Sequence, residues 1–434
     1  MSVTPRASAN PGSADGSQRD ILVRIAHGAL AGVAVTIGSD ATAQPSPAPL
    51  PRVTKAVAPF RVVTSTAAIS DARRRLQAAR WPERQTADDW GQGVPLATIQ
   101  ALVAYWRTAY DWRRLERRLN AYPQFRTEID GLGIHFLHVR SPHEQARPII
   151  LTHGWPGSVV EFLNVIGPLT DPTKHGGQPE DAFHVVIPSL PGFGFSDKPT
   201  ESGWGLPRIA RAWSELMRRL GYTDYLAQGG DWGAGVTTWM AKQHVEGLTA
   251  IHLNLPILFP PPVQGEPNQA EKATIAQLVA FNDKGSGYAK IQATRPQTIG
   301  YALADSPAGQ AAWIYEKLGE WTDSNHEPER EISRDEMLDN ISLYWLTNTA
   351  ASSARLYFES FATDFSTQRL DLPVAVSIFP GEVFQPPRLW GERVYSRLFY
   401  WNEAAHGGHF AAFEQPAVFV EELRAVFRAL PRGG

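Results

Sequence analysis

The sequence contains no cysteine, which excludes disulfide bonds, thiolate metal ligands and a cysteine nucleophile. It also has little excess charge of either sign, because 41 basic residues against 44 acidic ones leave a formal net charge of -3. Nucleic-acid binding depends on a concentration of positive charge at the phosphates, and this composition does not favour it. We therefore expect no nucleic-acid partner and look for a small, neutral or apolar one.

Long apolar runs are scarce, and the only one of note lies near the N-terminus. Residues 25–37 are apolar, follow two arginines and precede the triplet Ala41-Thr42-Ala43. This layout is typical of a cleavable export signal, so we expect a signal over residues 1–43 and a periplasmic or secreted chain starting near Gln44. A cytoplasmic location is the alternative. No other stretch approaches the roughly 18 apolar residues of a membrane span.

The length of 434 residues indicates one large domain with additions, because single cores stop growing at roughly 250–300 residues. A proline-rich linker is expected over residues 44–58, and helical periodicity predicts a helical N-terminal extension over residues 59–122. Within that extension we expect one helix with Ser70 as its N-cap and another over residues 96–119. The apolar stripe of the second helix requires cover from the main domain.

From residue 123 onward, short apolar runs alternate with helical stretches, which predicts a parallel sheet. The predicted strands are a hairpin over 129–139, then 149–152, 184–188, 225–228, 251–255, 374–379 and 397–401. The alternation stops over residues 260–365, where helices dominate, including one over 337–358. A sheet domain in two parts, 123–259 and 366–434, interrupted by a helical cap after its fifth or sixth strand, is the plan of the α/β-hydrolase fold. Substrates would bind where the cap meets the sheet.

The candidate nucleophile is Asp231, in the segment 226–235 that runs from a predicted strand through glycines into a helix. This is the pattern of a nucleophile elbow, with aspartate where hydrolases usually carry serine. The residue type constrains the reaction, because a serine that attacked an epoxide or alkyl halide would leave an ether that histidine cannot help to cleave. A carboxylate leaves an ester, which water can hydrolyse at its carbonyl carbon.

An acid and a histidine should follow the nucleophile in chain order. Glu382 follows a predicted strand, and His409 follows the next one, beside the apolar segment 410–413. His406 is the fallback for the base, and Asp364 and Asp371 are rival acids. The oxyanion donors are expected from the backbone N–H groups of two tryptophans, Trp155 in the turn 153–158 and Trp232 directly after the nucleophile.

Several motifs together resemble those of the microsomal-type epoxide hydrolases, including their N-terminal extension. The resemblance covers nearly all of residues 59–430, and the matching pieces are 153–158, 188–196, 229–233, 287–288, 305–307 and 407–414. It implies the same roles for Asp231, Glu382 and His409. It also implies that two cap tyrosines, Tyr288 and Tyr357, donate hydrogen bonds to the epoxide oxygen as it becomes an alkoxide, for which phenols with a pKa of about 10 are suited.

We therefore expect an epoxide hydrolase that converts a small apolar epoxide and water to a vicinal diol. This chemistry needs neither a cofactor nor a metal, and we expect none. A haloalkane dehalogenase is the leading alternative, because it would use the same kind of nucleophile with tryptophan N–H donors for a halide. A non-catalytic binding protein on the same scaffold is a third possibility, although it would have no need for Asp231, Glu382 and His409 together. The sequence carries no signal for the oligomeric state.

Overall fold

The structure is a computed structural model that describes residues 50, 53–259, 266–361 and 369–430. The predicted export signal over residues 1–43 lies outside these residues, as does most of the linker. Within the described residues, nine strands form one sheet in the order β1-β2-β3-β5-β4-β6-β7-β8-β9. They are β1 Ala58–Phe60, β2 Gln124–Ile129, β3 Leu132–Val139, β4 Arg147–Thr152, β5 Phe183–Pro188, β6 Tyr225–Gly229, β7 Leu248–Leu253, β8 Leu370–Ile378 and β9 Tyr395–Glu403.

The sheet is mixed, because the predicted parallel part is joined to the predicted hairpin, which turns at Gly131 but whose first strand begins earlier, at Gln124. The pairs β1–β2, β2–β3 and β3–β5 are antiparallel. The pairs β5–β4, β4–β6, β6–β7, β7–β8 and β8–β9 are parallel. The short β1 was not expected, because residues 58–60 fall in a segment predicted to be helical. With β1 included, the cap follows the seventh strand and not the fifth or sixth. Buried aliphatic runs such as Ile149, Ile150 and Leu151 lie between helices on both faces, as parallel sheets require.

The helices fall into three groups along the chain. Those of the N-terminal extension are α1 Thr66–Gln77, α2 Leu96–Thr108 and α3 Arg114–Asn120. Those of the sheet domain before the cap are α4 Ile166–Thr170, α5 Leu206–Arg219 and α6 Asp231–Lys242. The cap contains α7 Gln269–Ala280, α8 Gly287–Thr294, α9 Pro296–Asp305, α10 Pro307–Trp321, α11 Arg334–Thr347 and α12 Ala350–Ser360, and α13 Arg388–Val394, α14 Ala411–Glu414 and α15 Pro416–Ala429 follow it. In the described part of the chain, no helix combines the length and the apolar character needed to cross a bilayer.

Three helix predictions need correction. The first helix starts at Thr66 with Ser65 as its N-cap, so Ser70 lies inside it. The predicted helix over 96–119 is broken into α2 and α3, because the chain folds back so that Trp112 stacks on Trp106, with ring centroids 5.1 Å apart. The predicted helix over 337–358 is also two helices, since Asn348 adopts a left-handed conformation with φ of 51° that ends α11.

The N-terminal extension packs on the cap, and polar side chains connect the two. Asp339 of α11 is buried and accepts hydrogen bonds from the Tyr110 hydroxyl at 2.8 Å and from Arg118 at 2.8 Å. Trp106 donates its ring N–H to Ser342 of the same helix at 3.0 Å. The extension thereby fixes α11, the cap helix that contacts the loop after β4.

Candidate active site

The chain turns sharply between β6 and α6, and Asp231 lies at that turn. Its φ of 50° is unusual for a residue other than glycine, which indicates backbone strain at a position with a special role. The neighbouring glycines are required by close packing. A Cβ atom on Gly233 would lie 1.9 Å from the carbonyl oxygen of Thr152, and one on Gly229 would lie 2.2 Å from the backbone of Gly233. The predicted elbow therefore has a steric cause in the meeting of β4, β6 and α6.

The two carboxylate oxygens of Asp231 have different surroundings. Oδ1 accepts the backbone N–H of Trp155 at 2.8 Å, and Oδ2 lies 3.4 Å from Nε2 of His409. Residue 154 must be glycine for this contact, because a Cβ atom there would lie 2.2 Å from Oδ1. Trp232 lies in the first turn of α6, where N–H groups have no acceptor within the helix. One oxygen is thus held by a donor of the loop after β4, and the other is open to react.

His409 and Glu382 form a buried pair beside the aspartate. Nδ1 of His409 lies 2.7 Å from Oε1 of Glu382, which also accepts the N–H of Val383 at 2.8 Å. Burial lowers the pKa of His409, but the negative charges of Glu382 and Asp231 outweigh it and raise that pKa well above its usual range. The imidazole is therefore positively charged at neutral pH.

The fallback and rival residues lie elsewhere. His406 is exposed at the surface, three residues before His409. Asp371 is exposed as well and accepts a hydrogen bond from the Ser396 hydroxyl at 2.9 Å. Asp364 lies outside the described residues. Of the acids that can be placed, only Glu382 contacts a histidine next to Asp231.

The two cap tyrosines face the aspartate from α8 and α12. The ring of Tyr288 stacks on Trp155 with centroids 5.0 Å apart, and the ring of Tyr357 meets Trp232 edge-on at 4.7 Å. The centroids of the two tyrosine rings are 5.7 Å apart. Burial, followed by the charge of Asp231 for Tyr288 and by Tyr288 itself for Tyr357, raises the pKa of both phenols. Both hydroxyl groups are therefore protonated at neutral pH and able to donate.

Glu414 was not singled out from the sequence, although it lies at the end of the segment 407–414. Its carboxylate accepts the N–H of Phe410 at 3.0 Å and the N–H of Asp323 at 2.9 Å. The N–H of His409 itself is held by the carbonyl of Trp321 at 2.8 Å. Burial raises the pKa of Glu414 to about 7. This residue fixes the loop that carries the histidine.

A second set of residues that sequence reasoning missed holds the loop after β4. Asn340 of α11 donates to the carbonyl of Pro156 at 2.7 Å and accepts from the Ser158 hydroxyl at 2.7 Å. The Tyr344 hydroxyl donates to the carbonyl of Gly157 at 2.8 Å. No local signal marks Asn340 or Tyr344, because their partners lie far away in the sequence. They connect the cap to the N–H group that binds Asp231.

Comparisons with known proteins agree on one family. The model for the epoxide hydrolase N terminus matches residues 57–162, and the model for the alpha/beta hydrolase fold matches residues 147–297. A protein of Stigmatella aurantiaca that is assigned by name to the epoxide hydrolases is 63% identical over 377 residues, 86% of this chain and 85% of the relative. Epoxide hydrolase 1 of Sus scrofa is 36% identical over 403 residues, 85% of this chain and 88% of the relative. The structure of Aspergillus niger epoxide hydrolase superposes with a TM-score of 0.78 at 33% identity, covering 88% of this chain and 99% of that one.

Proposed function

We infer the function of this chain from its family, because the chain belongs to the epoxide hydrolases with the α/β-hydrolase fold. It is a hydrolase that opens an epoxide with water. For the mechanism we propose a covalent ester on Asp231, and one observation carries this proposal. The carboxylate has one oxygen held by the Trp155 N–H and the other directed toward His409, so it can attack through one oxygen while the other is already bound.

In the first step, Oδ2 of Asp231 attacks a ring carbon and the carbon–oxygen bond of the epoxide breaks. The oxide oxygen takes a proton from the paired phenols of Tyr288 and Tyr357. These are the buried donors that the cap places opposite the nucleophile. The product of this step is a 2-hydroxyalkyl ester of Asp231.

In the second step, water attacks the carboxyl carbon of that ester. Ester formation removes the negative charge of Asp231, which is one of the causes of the raised pKa of His409. The imidazole then releases its proton to solvent more readily, and the neutral ring can accept a proton from water, with Glu382 holding the ring. The N–H groups of Trp155 and Trp232 stabilise the oxyanion. The ester bond breaks as the departing alkoxide takes the proton from His409, which gives the diol, and the proton freed as Asp231 ionises restores the phenol. The returned charge of Asp231 lets His409 take up a proton from solvent again.

The walls of the site favour an apolar substrate. Tyr288 contacts Trp155 and Trp321, with centroids 5.0 Å and 5.2 Å apart, and Trp321 in turn lies 4.9 Å from the His409 ring. Aromatic rings thus line the cap side of the nucleophile, and the buried charge behind them is already paired, because Lys317, which lies over the rings of Tyr288 and Trp321, donates to Glu320 at 2.8 Å. We propose that the substrate is a small apolar epoxide and that the product is its vicinal diol.

The test is diol formation by the purified protein from a panel of aryl, terminal and trans-disubstituted epoxides, with haloalkanes as the competing substrate class. We expect diols to form, and we expect halide release from every haloalkane to be slower than diol formation. In the variant His409→Gln, the ester should accumulate and mass spectrometry should locate it on the peptide containing Asp231. His406→Gln is the matched control, because that histidine is exposed nearby, and it should accumulate none. An adduct on another residue would contradict Asp231 as the nucleophile, and faster dehalogenation would contradict the epoxide as the substrate.

We also propose that the chain is exported and cleaved near Gln44, on the strength of the apolar run 25–37 and the triplet Ala41-Thr42-Ala43. Intact-mass measurement of the protein recovered from its native host tests this. We expect a chain that starts close to Gln44. A cytoplasmic protein that still begins at Met1 would contradict export.

A further inference from the structure

Glu161 is a buried carboxylic acid that the mechanism above does not use. It lies in the 3-10 helix Val159–Phe162, directly after the loop that carries Trp155, and its side chain is buried. A Cβ atom on Gly157 would lie 1.3 Å from its Oε1, so the carboxyl group fills the space above that glycine. The charged groups that act on it are His409 and Asp231. Glu161 therefore lies near the reacting groups, just after the loop that follows β4.

A small cavity lies between Glu161 and these groups. Its volume is about 20 Å³, which is room for about one water molecule. Its polar lining includes Glu161, Gln228, Asp231 and His409. Its apolar lining includes Phe162, Phe410 and Phe419. Glu161 thus shares this cavity with Asp231, which carries the carboxyl carbon to be attacked, and with His409, the base.

Gln228, which also lines the cavity, has a hydrogen-bond acceptor without a partner among the described residues. Gln228 donates its amide N–H to Asn254 at 2.7 Å, and its Oε1 is buried without a hydrogen-bond partner among the described residues. Leaving a buried acceptor without a hydrogen-bond partner is unfavourable. A water molecule in the cavity would supply the missing donor. The unpaired oxygen is an observation independent of Glu161 that points to the same occupant.

A purely structural role for Glu161 is the alternative. The spacing of Ser158 and Glu161 is that of a capping box, the Ser158 hydroxyl accepts the Val160 N–H at 3.2 Å, and the Ser158 backbone contacts the Glu161 carboxyl. Capping accounts for a carboxylate at the start of this helix. It does not account for the cavity beside Asp231 or for the unpaired oxygen of Gln228.

We propose that this cavity binds the water molecule that cleaves the ester, and that Glu161 and Gln228 are the positioning residues that hold it against the carboxyl carbon of Asp231. The inference rests on the proposed ester mechanism. The water oxygen bonds to that carbon and gives one proton to Nε2 of His409, while its other hydrogen is held by Gln228 Oε1. The ester carbon–oxygen bond then breaks, and the departing alkoxide takes the proton from His409.

The protonation state of Glu161 suits this role. Burial raises its pKa to about 8, against the opposing charge of His409, so the carboxyl group is mostly neutral at pH 7. A neutral carboxyl group both donates and accepts hydrogen bonds, as does glutamine. It also places no second negative charge beside Asp231 when that residue must act as a carboxylate.

The experiment compares Glu161→Leu, which keeps the volume but removes the hydrogen bonds, with Glu161→Gln, which keeps both. Single-turnover kinetics on full-length protein measure ester formation and ester hydrolysis separately. We expect Glu161→Leu to hydrolyse the ester on the order of 10²-fold more slowly while forming it within about threefold of the native rate. Glu161→Gln should restore hydrolysis to within about tenfold. Glu422→Gln is the matched control, because Glu422 is a buried carboxylate of α15 that faces β8. It should leave the ratio of the two rates unchanged.

A role limited to capping predicts a different outcome. It would disturb the loop that carries Trp155 and slow both steps together, so equal slowing, or native hydrolysis in Glu161→Leu, would overturn the inference. If Glu161→Leu does not fold, Gln228→Leu decides, because the same selective loss of hydrolysis is expected there. A failure of the proposed ester mechanism can be distinguished from these outcomes, because the native protein would then form no ester on Asp231.

Discussion

The two halves of the active site are built differently. On the sheet half, backbone hydrogen bonds and close contacts with glycine fix the groups: Asp231 is held by the Trp155 N–H at 2.8 Å, and Glu382 by the Val383 N–H at 2.8 Å. On the cap half, Tyr288 and Tyr357 contact the sheet half through ring packing on Trp155 and Trp232.

This difference assigns different tasks to the two halves. The ester forms and is cleaved at one carboxyl group, so the groups around it must be placed accurately in both steps. The phenols donate to the oxide oxygen, whose position depends on the substrate that lies between cap and sheet. We therefore expect changes in the sheet half to affect every substrate, and changes in the cap half to affect the opening step.

The largest effect is expected at the nucleophile. Replacing Asp231 with Ala should lower diol formation by a factor on the order of 10⁴ or more, because no other group at the site can form the ester. Asp371→Ala, at an exposed aspartate, should retain native activity. Product formation measured by chromatography and the absence of a covalent adduct by mass spectrometry are the readouts. Substantial diol formation by the Asp231 variant would mean that water attacks the epoxide directly.

The cap half is tested by Tyr288→Phe, Tyr357→Phe and the double variant. Each phenol is a donor to the developing alkoxide, and loss of one such donor costs about 10²–10³ in rate. The remaining phenol should soften each single change, and the double variant should be nearly inactive. Stopped-flow measurement of ester formation separates this step from hydrolysis. A double variant that forms the ester at a near-native rate would remove the tyrosines from the mechanism.

Glu382→Gln tests the connection between the acid and the base. The charge of Glu382 raises the pKa of His409, so the variant should have a lower His409 pKa. Ester hydrolysis, which requires the neutral imidazole, should reach half of its maximum at a lower pH than in the native protein. The maximal rate should fall by about 10²-fold, because the ring loses its charged partner. The pH profile of single-turnover hydrolysis is the measurement, and a shift toward higher pH would contradict this arrangement.

The smallest effect is expected at the contact between the two halves. Asn340→Ala removes the side chain that holds the carbonyl of Pro156 at 2.7 Å. Losing such a bond costs about 1–1.5 kcal/mol, or about tenfold in rate. Ester formation and hydrolysis should slow to a similar extent, because the Trp155 N–H serves both. Slowing confined to one step would show that Asn340 acts on something other than this loop.

The two halves also differ in how far the sequence could predict them. Asp231, Glu382 and His409 each follow a strand, and the carboxyl ends of neighbouring strands meet at one edge of the sheet, so their order along the chain was informative. Tyr288 and Tyr357 lie on helices where nothing local distinguishes them from packing tyrosines, and only a family resemblance singled them out. Their role as hydrogen-bond donors to the epoxide oxygen remains a prediction.

The remaining gaps have physical causes. The break between α11 and α12 at Asn348 could not be predicted, because the apolar pattern continues through it and a left-handed asparagine has no strong sequence signal. Asn340 and Glu161 were missed for another reason. Each acts on backbone or space that distant segments provide, and a single sequence does not show which segments meet.

The most direct test of the ester on Asp231 is a single turnover in H₂¹⁸O, with the enzyme in excess over a racemic aryl epoxide. The mechanism predicts an unlabelled diol, because its new oxygen comes from the Asp231 carboxylate. It also predicts that ¹⁸O enters the peptide containing Asp231, as found by mass spectrometry after proteolysis. Label in the diol of the first turnover, with an unlabelled Asp231 peptide, would show that water opens the epoxide directly and would contradict the account.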